Sequence, residues 1–93
     1  MKSILQEDNG FCYYCGGYAS DRHHCIGGSH SNRVYCEEDG LVIRVCRRCH
    51  NKLHSSADLS RSLRKKAQEE WEARSTAEDP RKEWMKRYGR SWV

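Results

Sequence analysis

Two CxxC pairs set the tightest limit on what this chain can fold into. Cys12-Tyr13-Tyr14-Cys15 and Cys46-Arg47-Arg48-Cys49 each place two sulfurs on one turn of backbone, within reach of a single ion. Zinc prefers four soft ligands in a tetrahedron, and four thiolates leave no position open, so the expected ion is structural. Gly16-Gly17 follows the first pair directly, where a thiolate knuckle needs positive φ to turn its amides towards the sulfurs. The 30 residues between Cys15 and Cys46 are more than an ordinary zinc ribbon needs. Something is inserted between the knuckles, and the insert carries Asp21-Arg22-His23-His24.

A chain of 93 residues is read as one domain, residues 1–93. It is 37% apolar and 32% charged, which predicts a thin core. Small domains with thin cores often add a disulfide or a metal. Two observations favour the metal: the cysteines are grouped as CxxC, and residues 1–7 contain no apolar run of the secretory kind. The expectation is a reduced, cytoplasmic protein, with disulfides as the alternative. Cys25 and Cys36 lie outside the pairs. Cys25 reads as a small packing residue and Cys36 as a free thiol, the alternative being that one of them replaces a CxxC member. No apolar run approaches membrane-spanning length. The net charge of +4 favours a polyanionic partner, or is simply a solvated charged surface.

The chain starts with a short polar lead, and Tyr13, Tyr14 and Tyr18 are expected to pack around the first knuckle. Ala19 to Cys25 reads as extended, and Gly27-Gly28 breaks it. Ser29 to Gly40 is polar and reads as a loop. Leu41-Val42-Ile43-Arg44-Val45 is a β-branched strand that delivers the chain into Cys46. A short helix is predicted from about Arg47. Ser55-Ser56-Ala57-Asp58 then caps a longer one, with Leu59, Leu63, Ala67 and Trp71 as its apolar stripe. Arg61, Arg64, Lys65 and Lys66 sit off that stripe and read as a solvated outer face. A last helix begins at Asp79-Pro80, turns Trp84, Met85 and Tyr88 inwards and stops at Gly89. Trp71, Trp84 and Trp92 are expected to close the core.

Four of the five histidines fall in two tight groups. His50 and His54 are four apart, so on a helix both imidazoles reach one ion. His23 and His24 are adjacent, and in a strand they point to opposite sides. One can therefore bind metal while its neighbour stays free. A free imidazole beside a metal can act as a general base for water, and the metal can hold a phosphate and stabilise a leaving oxygen. Asp21 shares a side of the strand with His23 and is placed to orient a histidine. A purely structural zinc network is the competing use of the same residues.

Together these residues resemble the HNH, or ββα-metal, nuclease superfamily. Asp21-x-His23-His24 resembles its carboxylate-x-His-His strand motif, and Cys46-x-x-Cys49-His50-x-x-x-His54 its closing motif on the metal-bearing helix. The CxxC pairs resemble the knuckles of its zinc-stapled subgroup. Gly27-Gly28, Gly40-Leu41 and the ending from Glu83 to Trp92 look like small HNH proteins of bacteriophages. The resemblance implies an α+β fold: a small ββα-metal (His-Me finger) core over residues 11–55, stapled by a four-cysteine zinc site, with a C-terminal helical extension over residues 56–93. It implies a DNA endonuclease or nickase in a bacterial host cell, with a recombinase filament or another phage or host protein as a further partner. His24 would be the general base, and His23, His50 and His54 would hold a catalytic Mg, Mn, Ni or Zn ion. Asp21 would support them or join the ligands. The family's middle asparagine falls on Asn32, with Asn51 and Asp39 as alternatives. The other reading is a catalytically idle, zinc-stapled module that binds nucleic acid or protein.

Overall fold

The computed structural model describes residues 2–7 and 9–93. In chain order the elements are β1 (Asp21–His24), α1 (His30–Asp39), β2 (Val42–Val45), α2 (Arg47–Ser55), α3 (Ala57–Arg74) and α4 (Pro80–Tyr88). The fold is thus small α+β, with one two-stranded sheet. β1 and β2 pair antiparallel, with His23 opposite Ile43 and His24 opposite Val42. The outer edge of β2 is not left bare, because the polar lead runs along it. Ile4 N–H donates to Gly40 O (2.9 Å), Ser3 Oγ to Val42 O (2.5 Å) and Arg44 N–H to the Gln6 side-chain oxygen (2.8 Å).

Ser29 to Gly40 corrects the sequence reading: most of this polar stretch is helix α1, not loop. Its signals are at the ends. Ser29 Oγ accepts from Asn32 N–H at the N-terminus (3.1 Å), and Gly40 turns left-handed at the C-terminus with φ 75°. Only Cys36 along α1 is fully buried, so no apolar stripe marks it. The helix end also shortens the strand that follows. Leu41 N–H is committed to Cys36 O, closing α1, and pairing starts at Val42.

Gly40 meets two demands at once. Its φ is one that side chains rarely adopt, and a Cβ there would collide with the Lys2 carbonyl oxygen. Gly40→Ala is expected to cost about 2 kcal/mol or more, a fall in Tm of roughly 10 °C for a domain of this size. An unchanged melting curve would show that the lead does not press on this turn.

The other helices start and stop where their caps predict. Ser56 Oγ accepts from Leu59 N–H (3.2 Å), and Asp79 Oδ1 from Lys82 N–H (3.2 Å) ahead of Pro80. Leu63 and Ala67 are buried on the α3 stripe, with Leu59 and Trp71 partly so. Trp84 is wholly buried, with Trp71, Tyr88 and Trp92 around it at ring-centroid distances of 5.4, 4.2 and 6.4 Å. Met85, expected inside, is exposed. Gln68 is buried without an apolar signal. Its amide donates to Ser91 Oγ (2.9 Å) and accepts from Trp92 N–H (2.7 Å), which ties the C-terminal tail to α3. The tyrosine expectation fails at Tyr18, which is 80% exposed, while Tyr13 is half-buried and edge-on to Tyr14. Among the described residues, no helix is long and apolar enough to cross a membrane.

Candidate functional site

The cysteine site assembles around α2. Cys46 sits at its N-cap, where the sulfur accepts from Cys49 N–H (3.5 Å). The first knuckle is a one-turn hairpin closed by Cys12 N–H to Gly17 O (2.6 Å), with Gly16 left-handed. Tyr13 N–H donates to Arg44 O (2.8 Å), which fastens the knuckle to β2 beside α2. All four sulfurs then lie within 4.8 Å of one another, and Cys15 and Cys46 are 3.7 Å apart. A zinc–sulfur bond of about 2.3 Å in a tetrahedron requires a sulfur–sulfur separation of about 3.8 Å. The four-cysteine cluster therefore fits a structural zinc ion.

Its electrostatics point the same way. Burial pushes the Cys49 thiol up to about 12, and the neighbouring sulfurs add to the rise. The Cys49 amide pulls Cys46 down, while Cys12 falls to about 6 because backbone amides outweigh its burial. Four thiolates packed this closely repel one another, and a cation among them would offset that charge. Cys25 and Cys36 belong elsewhere. Both are buried, and Cys36 Sγ donates to Ile26 O (3.4 Å). Burial raises both thiols, Cys36 to about 11.

The histidines separate along β1 as a period of two demands. His23 faces α2, where its ring stands edge-on to His50 and His54 at centroid distances of 5.2 and 6.0 Å. Ring nitrogens of the three lie within 4.8 Å of one another, and the Nε2 atoms of His50 and His54 are 3.1 Å apart. Three imidazoles on a tetrahedral ion would stand about 3.4 Å apart and leave one position open. The group therefore suits a divalent transition metal with an exchangeable site. Burial, and then the charges of His50 and His54, hold His23 down to about 4, so at neutral pH it keeps a lone pair to donate.

Asp21 shares that face and orients His50. Its Oδ2 takes the Nδ1–H at 2.8 Å, which leaves Nε2 turned to the cluster. That bond is the main cause of Asp21's lowered pKa; Ser20 Oγ–H and the Arg47 guanidinium assist. The close group of ring nitrogens is made by His23, His50 and His54 and does not include Asp21.

His24 faces the other way, towards α1. Its Nε2 lies 2.9 Å from Glu37 Oε1, and Arg22, two residues earlier on the same face, grips both Glu37 oxygens at 2.9 and 2.6 Å. Arg22 first, and His24 second, hold the Glu37 carboxyl down to about 2, so it stays ionised. A carboxylate only accepts, so the neutral form of His24 carries its proton on Nε2 and keeps Nδ1 as the basic nitrogen. Sequence reasoning missed Glu37. It lies 13 residues from His24 on a helix whose existence was also missed, and nothing in the spacing joins the two.

His23, His24, His50 and His54 all line one open cleft of about 470 Å³. Gly27-Gly28 forms part of the wall, and Arg33 adds a guanidinium with no carboxylate partner among the described residues. Of the three candidates for the middle asparagine, none lines this cleft. Asn32 Nδ2 instead donates to Gly27 O (2.9 Å), a backbone oxygen of a residue in the cleft wall. Asn51 is exposed on α2. Asp39 is used elsewhere: it accepts from Trp71 Nε1–H (3.0 Å), the Arg87 guanidinium (2.7 and 3.0 Å) and Tyr88 O–H (2.7 Å), pinning α3 and α4 to α1.

Comparison of the chain with protein-family models, with curated proteins and with solved structures finds no match, so its function is read from its own residues.

Proposed function

We propose that this chain is a metal-dependent DNA endonuclease or nickase of the HNH, ββα-metal type. One observation carries the reading: two adjacent histidines reach one cleft from opposite faces of a strand, His23 among ligand-like imidazoles and His24 on a carboxylate. β1 supplies His23 and His24, α1 supplies Glu37, and α2 supplies His50 and His54, with β2 pairing beside β1.

A divalent ion on His23, His50 and His54 would hold a non-bridging phosphate oxygen and offset charge growing on the leaving oxygen. His24 takes a proton from the attacking water at Nδ1, while its Nε2–H stays on Glu37, whose charge stabilises the imidazolium. The water oxygen bonds to phosphorus, the bond to the leaving ester oxygen breaks, and that oxygen takes a proton from solvent. Asp21 keeps His50 turned inward, and Arg33 offers a charged donor to the phosphate.

The test is nicking of supercoiled plasmid with Mg²⁺, Mn²⁺, Ni²⁺ and Zn²⁺ supplied in turn. Imidazole ligands suit borderline metals more than Mg²⁺ or Mn²⁺, so the fastest cutting is expected with Ni²⁺ or Zn²⁺. His50→Ala and His54→Ala should each weaken the labile metal site and slow cutting with it. Failure of every metal to support cutting of supercoiled or single-stranded DNA, with DNA binding retained, would leave the zinc-stapled binding module as the function.

A further inference from the structure

Arg22, Arg47, Arg74, Arg81 and Arg87 each pair with a carboxylate. Arg61, Arg64 and Arg90 have no carboxylate partner among the described residues, yet they come together on one groove of about 400 Å³. Arg48 also lacks such a partner, but it lines neither the groove nor the histidine cleft. Trp92 stands between two of the three: the guanidinium carbons of Arg64 and Arg90 lie 5.7 and 5.5 Å from its ring centre. The buried Gln68 side-chain oxygen accepts from Trp92 N–H, which holds the Trp92 backbone in place beside them. Among the described residues no carboxylate lines the groove, and Ser60 is among the hydroxyls that do. His54 lines both this groove and the histidine cleft, so the two surfaces are continuous.

We infer that this groove binds the phosphodiester backbone of the DNA strand leading away from the phosphate held in the histidine cleft. The inference rests on the nuclease reading for its ligand and extends it to a path. Unneutralised guanidiniums and a serine hydroxyl, with no acidic side chain among the described lining residues, are what a phosphate track requires. The continuity through His54 makes the track reach the reacting phosphate. α3 thus does more than pack: Leu63 and Ala67 face the core, while Arg61 and Arg64 face the ligand.

The experiment measures equilibrium binding of a fluorescent oligonucleotide against salt, on zinc-loaded protein with no further metal added, so that nothing is cut. Arg61→Ala/Arg90→Ala is compared with Lys66→Ala/Lys82→Ala, which removes the same charge from positions lining neither surface. Each lost phosphate contact should lower the slope of log K against log salt by about 0.9 on duplex or 0.7 on single strands. The arginine pair should therefore lose nearly two units of slope on duplex, and the lysine pair little. Equal behaviour of the two double variants would overturn the inference. So would an arginine variant that loses affinity for poly-glutamate but not for DNA, which would make the groove a site for acidic peptides. Because the readout is binding, a groove that holds DNA in a protein that never cuts would sink the nuclease reading alone. A protein that cuts while both variants bind as wild type would sink the groove alone.

Discussion

Removing the ion from the four-cysteine site, by strong chelation or by Cys15→Ser, is expected to unfold the protein. Purified chain should carry one tightly held zinc. The four sulfurs join two parts of the chain 31 residues apart, the first knuckle and the start of α2. Beyond the Tyr13–Arg44 backbone bond and the half-buried Tyr13 ring, the knuckle has thin cover: Phe11, Tyr14 and Tyr18 around it are exposed, and only Cys12 and Ala19 in this segment are buried. Structural zinc contributes on the order of 10–16 kcal/mol in zinc-finger peptides, as much as the whole stability of an ordinary domain, about 5–15 kcal/mol. Chelation should therefore abolish helical circular dichroism and the near-ultraviolet signal of the Trp71–Trp84 cluster together. Cys25→Ala should keep full zinc stoichiometry, since that buried thiol lies outside the cluster. Zinc-free protein by elemental analysis, with its fold intact under chelator, would dispose of this site.

The second large effect separates two neighbours. His23→Ala should lose the labile ion, and cleavage with it, while the cysteine-bound zinc remains. His24→Ala should keep both metals, the fold and DNA binding, yet cut about a hundred- to ten-thousand-fold more slowly, the usual cost of a lost general base. Added imidazole should restore part of the His24→Ala rate and none of the His23→Ala rate. Glu37→Gln acts through His24, so kcat should fall about 10- to 100-fold with KM and metal content unchanged, as for other groups that hold a reacting side chain in place. Metal titration and single-turnover nicking on the three variants read all of these. A His24→Ala variant cutting at the wild-type rate would remove His24 from the chemistry, and unchanged metal content in His23→Ala would remove His23 from the ion.

Asp21 illustrates how far the histidine site could be read in one dimension. Its place on the His23 side of β1 follows from strand alternation, and the structure puts it there. Which histidine it orients does not follow, because His50 arrives 29 residues later from another element. The same division runs through the rest of the molecule. Cys12, Cys15, Cys46 and Cys49, the pairing of His50 with His54, the α3 stripe and the caps at Ser56 and Asp79 were legible because each repeats a local period or a local hydrogen bond. α1 was not, since a helix that buries one cysteine leaves no apolar stripe and only its two caps to be noticed. Glu37 on His24, Asp39 under Trp71 and Tyr88, and the tail that returns Trp92 to Arg64 were decided by tertiary structure alone. Ion pairs, buried hydrogen bonds and stacked guanidiniums join residues far apart in the chain, and such contacts have no period for a sequence to display.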